Sequence, residues 1–526
     1  MKWLAARKWF PPLRLVLPAA ASGALLSLAY PPRNLGVLSF IALVPLVVAC
    51  YRRAYTRRAF FNAGYLFGIA FFLGHLWWIV FLSSSSSITV PWLMVPALAL
   101  LVLYLAVYPA LFFLLLRTLG RGSLAAAVVL APALWLLTEI ARSSGELGFS
   151  WGAVGYSLTR HPALVQSATL GGVFGVGAVI VLVNMLWSYA VAGRGPRRRV
   201  VAMVAGAVVI AGMAVYGHER IRRFDDDAPA RTHRVSVVQP NVDLAVKWNP
   251  EHRDTTLRLI ERLTRQCALL EPEMIVFPET CAPVFIGNDT AFRDGLSNLA
   301  QELEVGIFIG FLDARYEAIG RVAAVYNSSG LFYPNGGLAR YNKNHLLPFG
   351  EAIPLAWKFP GLKKINFGQA NFDPGTTDAA IESPIGELAP LICFEAIFPA
   401  ASRRAVSRGA DVLVNITNDG WFGDTPGPFQ HADMAVYRAV ENGRYLLRSA
   451  NTGVSMVVDP LGRIVASLGL NEEGFLVENI REIEGRTLFT RLGNAWLVAI
   501  AGLLVTCGTL VARISDRSSQ SSSACK

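Results

Sequence analysis

Charged side chains are scarce in this sequence, and acidic ones are almost missing from its first 218 residues. Only 16% of the 526 residues are charged, 53% are hydrophobic, and the mean hydropathy is +0.42. Glu139 and Glu146 are the only acidic residues between Met1 and His218. This composition is unusual for a soluble protein and indicates that lipid surrounds much of the chain. The net charge of +11 is spread over short basic clusters between apolar runs, which argues against nucleic acid as a partner.

Metal-binding and redox motifs are missing as well. The six cysteines form no CxxC pair and no other ligand spacing, so we predict neither a metal site nor a cofactor. Cys50 and Cys507 lie in or beside apolar runs, where packing is the expected role. Cys267 and Cys281 fall in a segment that we predict to face an oxidising compartment, which leaves a disulfide between them open.

Apolar stretches that approach the roughly 20 residues of a bilayer crossing recur along the chain. They lie near residues 13–30, 36–50, 60–81, 89–116, 123–140, 163–192, 199–216 and 494–513. The stretch at 36–50 is short for a crossing. Ala19, Ala20 and Ala21 in the first stretch resemble a signal-peptide cleavage region, but the topology works only if this span is retained.

Basic residues between these stretches predict an orientation. The clusters are Lys2/Arg7/Lys8/Arg14, Arg52/Arg53/Arg57/Arg58, Arg117/Arg121, Arg194/Arg197/Arg198/Arg199 and Arg513/Arg517. By the positive-inside rule, the loops with these clusters are cytoplasmic, and so are both termini. We therefore predict seven membrane helices in 1–217, an extracytoplasmic domain in 218–490, and an eighth helix with a cytoplasmic tail in 491–526.

The segment 232–482 has mixed charge and predicts a globular α/β domain of about 250 residues. Strand-like runs are 235–239, 274–277, 306–311, 330–333, 389–392, 412–416 and 454–458. Helix-like stretches lie between them at 252–270, 290–304, 398–408 and 430–448. The predicted fold is thus a bundle of about eight membrane helices joined to an α/β domain.

Reactive side chains stand at the ends of three strand-like segments. Glu279 ends Met274–Glu279, Lys343 ends Arg340–Lys343, and Cys393 follows Leu391-Ile. Active sites of α/β domains gather at strand ends. A carboxylate can take the proton of the thiol, and a lysine with the backbone N–H after the nucleophile can stabilise an oxyanion. Taken singly, each residue also fits an ordinary place in a core or on a solvated surface.

The order Glu279, Lys343, Cys393 resembles the catalytic triad of the nitrilase (carbon–nitrogen hydrolase) superfamily, which lies on a four-layer αββα sandwich. The full layout resembles the apolipoprotein N-acyltransferase family, in which such a domain precedes the last of eight membrane spans. The matching segments are Gly148–Trp151, Val246–Trp248, Phe277–Glu279, Arg340–Glu351, Ile392–Glu395, Thr417–Gly423 and Arg438–Gly453. Phe394 departs from the pattern, because a Tyr often follows the nucleophile. This puts a hydroxyl role there in doubt, but not a role for its backbone N–H.

The resemblance implies roles for particular residues. Glu279 is the expected general base, Lys343 the oxyanion stabiliser and Cys393 the nucleophile. Glu351 matches a second glutamate that orients the lysine or polarises the site, and Glu395 matches a buried acid near the nucleophile. The remaining predicted supporting or substrate-binding residues are Phe394, Asn327, Trp248, Trp421 and Phe422. The last three fit either the domain core or an apolar mouth for acyl chains.

The resemblance also implies an activity and a location. An acyl chain would pass from a phospholipid, with phosphatidylethanolamine the expected donor, to Cys393 as a thioester. It would then pass to the N-terminal diacylglyceryl-cysteine of an apolipoprotein, in the bacterial cytoplasmic (inner) membrane. Three alternatives stay open. They are a membrane-anchored amidase with water as acceptor, a transporter or scaffold with an inactive outer domain, and a Cys-His hydrolase that uses His345 or His431.

Overall fold

The computed structural model describes residues 12–84, 91–227, 231–247, 250–317, 321–356, 358–359, 361–362, 370–377 and 379–524. Trp248, one of the predicted supporting residues, lies outside this range. The chain forms an apolar helical region and an α/β domain that pack against each other through a shared hydrophobic core.

The helical region contains eight helices, α1–α7 and the last helix of the chain, α12, in the described residues. They are α1 Leu13–Ser27, α2 Val44–Tyr51, α3 Arg57–Leu76, α4 Met94–Leu119, α5 Leu124–Arg142, α6 Ala168–Ala192, α7 Pro196–Asp226 and α12 Ala495–Ala524. Six of the described helices (α3–α7 and α12) are long and apolar enough to cross a membrane, whereas Leu13–Ser27 and Gly36–Tyr51 are shorter. The chain is a membrane protein, and each predicted apolar stretch corresponds to one of these helices.

The α/β domain is built on two sheets. Its strands are β1 Thr232–Gln239, β2 Met274–Val276, β3 Gly306–Tyr316, β4 Val322–Phe332, β5 Leu338–Asn342, β6 Leu388–Ile392, β7 Val412–Thr417, β8 Tyr445–Ala450, β9 Ser455–Val458, β10 Ile464–Leu468 and β11 Gly474–Arg481. One sheet has the order β11-β1-β2-β3-β4-β5 and the other β10-β9-β8-β7-β6. The neighbours β1-β2-β3 and β6-β7-β8 are parallel, and the outer pairs are antiparallel.

Helices cover the outer faces of both sheets, so the domain has four layers. They are α8 Arg253–Ala268, α9 Thr290–Glu302, α10 Pro399–Ser407 and α11 Gly427–Asn442. Apolar side chains between the sheets form one core, and two further cores lie under α8 and α9 and under α10 and α11. The predicted nitrilase-like αββα sandwich is confirmed. Shorter helical turns are Gly36–Phe40, Trp77–Ser84, Pro91–Leu93, Val154–Leu158, Pro162–Val165, Leu244–Lys247, Pro250–His252, Cys393–Ile397, Asp419–Phe422 and Leu488–Leu492.

The predicted helix at 430–448 is wrong at its C-terminal end. Helix α11 stops at Asn442, and Gly443 adopts φ 62° and ψ 45°, the left-handed conformation that glycine accepts without a steric cost. Tyr445–Ala450 is then the fully buried strand β8. Its residues were assigned to the helix because a buried strand shows no alternation of polar and apolar side chains.

Helix α11 also joins the two regions of the protein. Gln430 accepts hydrogen bonds from the indole N–H groups of Trp78 (3.0 Å) and Trp151 (2.7 Å), and it donates to the carbonyls of Pro31 (3.2 Å) and His75 (3.1 Å). All five residues contribute to a contact between α11 and the helical region. Because its amide is fully bonded, Gln430 is buried without the cost of an unsatisfied polar group.

A second residue of α11 caps a kinked membrane helix. Within α6, Gly172 has φ 62° and ψ −171°, so the regular helix restarts at Val173. The Val173 N–H donates to Glu441 Oε1 (2.8 Å), and Glu441 Oε2 lies 3.1 Å from Arg438 Nη2. Glu441 and Arg438 are both completely buried. A residue of the α/β domain thus supplies the N-terminal acceptor that helix α6 needs at its kink.

We expect Glu441→Ala to lower the free energy of unfolding by about 3–5 kcal/mol, because Arg438 would keep a buried charge without its partner. The measurement is the apparent melting temperature of the purified protein in detergent. Glu473→Ala is the matched control, since the Glu473–Arg262 ion pair is about half exposed and such pairs contribute about 0–1 kcal/mol. Equal melting temperatures for both variants would contradict this prediction.

Candidate active site

The three predicted catalytic residues come together where strands of the two sheets end. Glu279 follows β2 after two residues, Lys343 directly follows β5, and Cys393 directly follows β6. Lys343 Nζ lies 3.7 Å from Glu279 Oε1, and both charges act on the Cys393 thiol. Three residues that span more than 100 positions of the chain therefore come together in one cluster.

The Glu279 carboxylate is held in a fixed orientation by two donors. The Asn327 side chain donates to Oε1 (2.7 Å), and the Asn418 backbone N–H donates to Oε2 (2.8 Å). Glu279 is 6% exposed. Both oxygens retain lone pairs for a further proton or donor. The carboxylate is therefore positioned to act as a general base, and the predicted supporting residue Asn327 contacts it directly.

Lys343 forms a buried ion pair with Glu351. Its Nζ lies 2.9 Å from the Glu351 carboxylate, which also accepts hydrogen bonds from Asn327 Nδ2 (2.9 Å) and the Leu347 N–H (2.8 Å). Burial lowers the pKa of Lys343, but the carboxylates of Glu351 and Glu279 outweigh it and raise this pKa above its usual range. Lys343 thus remains an ammonium ion near the thiol, and Glu351 is the carboxylate that pairs with it.

Cys393 occupies a strained turn. Its φ of 51° lies in the left-handed region, which costs a residue other than glycine about 1–3 kcal/mol. Burial is the main cause that raises the pKa of its thiol, the Glu279 carboxylate raises it further, and Lys343 and a hydrogen bond with Thr417 lower it. The net direction is upward, so the resting group is a thiol at neutral pH. Attack on a carbonyl then requires a base to take the proton.

Glu395 fixes the two loops that carry Lys343 and Cys393. Its carboxylate accepts hydrogen bonds from the Tyr341 hydroxyl (2.9 and 3.0 Å) and from the backbone N–H groups of Asn344 (2.8 Å), His345 (3.1 Å) and Ile392 (2.8 Å). With four donors around it, the carboxylate is a structural anchor that is 1% exposed. It supports the site by connecting the end of β5 to the turn after β6.

The aromatic residues near the site face the helical region. Phe394 is buried with its ring edge on Phe398, 5.2 Å between centroids, within the core shared with the membrane helices. Phe422 packs on Trp78 at 5.1 Å and on Trp151 at 6.1 Å. Trp421 is 37% exposed. Phe394 and Phe422 thus belong to the contact between the regions, and Trp421 is available at the surface.

The two histidines considered for a Cys-His pair make other contacts. The His345 ring packs against Phe398, with Nδ1 3.8 Å from Glu395 Oε1. The two ring nitrogens of His431 face Asp419 Oδ1 (2.9 Å) and the backbone carbonyl of Cys393 (3.1 Å). The geometry therefore favours Glu279 over histidine as the base.

Lys247 is a supporting residue that sequence reasoning missed. Its Nζ donates to the Glu279 carbonyl (3.1 Å) and to Thr280 Oγ1 (3.0 Å), and it is 2% exposed. Thr280 has φ 43°, so Lys247 secures a strained turn directly after the base. Burial lowers the pKa of Lys247 to about 8, against the opposing influence of Cys281 and Glu279. The motif Val246-Lys-Trp248 was the available signal. The matched segment Thr417–Gly423 holds three more such residues. No role was predicted for Thr417, Asn418 or Asp419.

The comparisons with known proteins agree with this arrangement of regions. Residues 22–186 match the family described as the apolipoprotein N-acyltransferase N-terminal domain, and residues 234–484 match the carbon–nitrogen hydrolase family. An apolipoprotein N-acyltransferase of Geobacter metallireducens is 35% identical over 503 residues, which cover 94% of this chain and 95% of the relative. One from Gloeobacter violaceus is 33% identical over 511 residues, which cover 95% and 94%. Among solved structures, an amidase from Nesterenkonia sp. has 22% identity and a TM-score of 0.39, over 52% of this chain and 97% of that chain.

Proposed function

This chain belongs to the apolipoprotein N-acyltransferase family, and from that premise we propose that it transfers a fatty acyl chain from a phospholipid to the N-terminal diacylglyceryl-cysteine of apolipoproteins. One observation carries the proposal: Glu279, Lys343 and Cys393 meet in a domain whose core is continuous with that of the membrane helices. Both substrates are anchored in lipid, so a site fixed next to the bilayer keeps both within reach.

The first half-reaction loads the enzyme. Glu279 takes the proton of the Cys393 thiol, and the thiolate attacks the sn-1 ester carbonyl of the phospholipid. The negative charge of the tetrahedral intermediate faces the Lys343 ammonium and the Phe394 backbone N–H. Collapse of the intermediate breaks the ester C–O bond, and the leaving oxygen takes the proton from Glu279. Lysophospholipid departs, and the acyl group remains as a thioester on Cys393.

The second half-reaction unloads it. The α-amine of the diacylglyceryl-cysteine attacks the thioester, and Glu279 takes a proton from the attacking nitrogen. The C–S bond breaks, the thiolate leaves and recovers the proton from Glu279, and the lipoprotein carries a new amide. Trp151 and Phe422 pack on His431, whose ring contacts the Cys393 carbonyl, and this apolar surface limits the access of water to the thioester.

The finer assignments belong to the same proposal. Phosphatidylethanolamine is the donor, and the membrane is the bacterial cytoplasmic membrane with the α/β domain outside the cell's interior. Both termini face the cytoplasm, as the basic clusters between the spans indicate. The division into 1–217, 218–490 and 491–526 and the predicted absence of a cofactor stay predictions.

Incubation of the purified protein with phosphatidylethanolamine labelled in its sn-1 chain tests this function. We expect one equivalent of label on the protein, released by hydroxylamine as a thioester is. Addition of a diacylated lipopeptide with a free α-amine should move the label to the peptide within minutes. The same lipopeptide with an acetylated amine is the matched control and should leave the label on the enzyme. Release of the label as free fatty acid at the same rate with either peptide would support the amidase alternative instead.

A further inference from the structure

His431 contacts the peptide bond that follows the nucleophile. It lies on α11, 1% exposed, and its Nε2 is 3.1 Å from the carbonyl oxygen of Cys393. A carbonyl oxygen only accepts, so Nε2 carries the hydrogen of this bond. The peptide between Cys393 and Phe394 is trans. Its carbonyl and its N–H therefore point in opposite directions, and His431 holds the end opposite to the N–H.

Three sides of the His431 ring are supported. Nδ1 lies 2.9 Å from Asp419 Oδ1, and the ring stacks on Trp151 of the helical region at 5.7 Å and 23°. Asp419 is itself held by Arg448 Nη2 at 2.6 Å, and this Nη2 also lies 3.3 Å from His431 Nδ1. The ring cannot turn without breaking one of these contacts. Its position relative to the Cys393 carbonyl is therefore set by both regions of the protein.

The turn at Cys393 requires such support, because its φ of 51° is costly for a residue with a side chain. Glu395 holds the N–H of Ile392 before the nucleophile, and Asn415 holds the Leu391 carbonyl at 2.8 Å. His431 holds the carbonyl of the nucleophile itself. It thus orients the plane of the peptide between Cys393 and Phe394 from its carbonyl end.

We propose that His431 is a positioning residue for acyl transfer: by donating to the Cys393 carbonyl, it orients and polarises the peptide whose Phe394 N–H stabilises the oxyanion. Hydrogen bonds in a chain strengthen one another, so a donor on the carbonyl makes the N–H of the same peptide a better donor. This inference rests on the proposed acyl transfer through Cys393. It adds a residue of α11 that acts through the peptide after Cys393 and stacks on Trp151 of the helical region.

Two reactions of the Cys393 thiol, acylation and alkylation, distinguish an effect of His431 on the oxyanion from a general effect on the shape of the turn. Acylation by labelled phosphatidylethanolamine passes through an oxyanion, whereas alkylation of Cys393 by iodoacetamide does not. His431→Phe keeps an aromatic ring against Trp151 but removes the donor. We expect it to slow acylation roughly 10- to 100-fold, less than the 10²–10³-fold for loss of an oxyanion donor itself. The alkylation rate and the KM for phospholipid should stay within about threefold of the wild type, because an oxyanion contact acts in the transition state alone.

Two further variants complete the experiment. His431→Gln retains a side-chain N–H and should recover part of the acylation rate. Asp433→Asn changes a residue of the same helix that pairs with Arg160 and should acylate as the wild type does. Acylation of His431→Phe within threefold of the wild type would overturn the inference and leave the proposed function standing. A parallel fall in acylation and alkylation would also overturn it, since it would show loss of the turn. A wild-type enzyme that takes no acyl label would overturn the proposed function and this inference with it.

Discussion

Cys393→Ala should carry no acyl label after incubation with phospholipid, and its transfer activity should fall on the order of 10⁴-fold or more, as when a catalytic nucleophile is removed. The charges of both Glu279 and Lys343 act on the Cys393 thiol. Alanine keeps a Cβ at the same φ of 51° and so adds no new backbone strain. The variant should therefore fold, and its loss of label should report chemistry. Detection of the hydroxylamine-sensitive label by mass spectrometry is the direct measurement.

Other cysteines of the chain offer matched controls. Cys267 is buried beside Ser236, with its Sγ 3.2 Å from the hydroxyl, and Cys507 lies exposed on a membrane helix. Burial raises the pKa of Cys267 to about 11, so its thiol stays protonated at neutral pH. Cys267→Ala and Cys507→Ala should both load as the wild type does. Label that persists on Cys393→Ala, or disappears from either control, would contradict the assignment of Cys393 as the nucleophile.

Glu279→Gln should slow thioester formation about 10²–10⁴-fold, the range for loss of a general base. Even this isosteric change disturbs the site, because both carboxylate oxygens accept from donors, Asn327 Nδ2 and the Asn418 N–H. One of them would meet the new NH₂ group instead of an oxygen. Single-turnover acylation by labelled phospholipid measures the loss. Glu273→Gln is the control. Glu273 directly precedes β2 and pairs with His233, and this variant should be acylated at close to the wild-type rate.

The pH dependence of alkylation distinguishes a lost base from a damaged site. Glu279→Gln removes a charge that raises the pKa of the Cys393 thiol, but burial, the larger cause, remains. A thiol without its base therefore reacts only as its thiolate forms in alkaline solution. Iodoacetamide should therefore alkylate Glu279→Gln slowly at pH 7 and faster with each step up in pH, toward the wild-type rate. A variant whose alkylation is slow at every pH, or normal at pH 7, would argue against Glu279 as the base.

The sequence places the three predicted catalytic residues because each follows a strand-like segment. Glu279 and Cys393 follow parallel strands of two different sheets, β2 and β6, and Lys343 follows the antiparallel strand β5. Active sites of α/β domains gather at strand ends, and the catalytic roles of these residues stay predictions. The resemblance of the surrounding segments implies a place for Glu351 beside the lysine, and Asn327 is also predicted to support the site. In the structure Asn327 donates to Glu279, and Lys343 pairs with Glu351. For Glu279 and Cys393 the signal is local: a reactive residue shortly after a run of buried ones.

Lys247 and His431 show what the sequence could not indicate. Lys247 contacts Glu279 across 32 positions and His431 contacts Cys393 across 38, and both are polar residues on helices, where solvent exposure is the ordinary expectation. Their burial follows from the packing of α11 and of Leu244–Lys247 on the sheets, which is a tertiary property. Strands β8, β10 and β11 were missed for related reasons. β8 is buried on both faces, whereas β10 and all of β11 except Ile480 are partly or fully exposed, so none shows the two-residue alternation.

The kink at Gly172 has a consequence for how the protein is made. Val173 leaves the ribosome 268 residues before Glu441, the residue that accepts its N–H. At a synthesis rate of about 5–20 residues per second, that interval lasts roughly 13–54 s. During this time helix α6 is already translated while its first turn still lacks the acceptor. Assembly of the lipid-embedded half is thus finished late, by a part of the chain that folds after it, and a nascent chain stopped before residue 441 leaves that helix end incomplete.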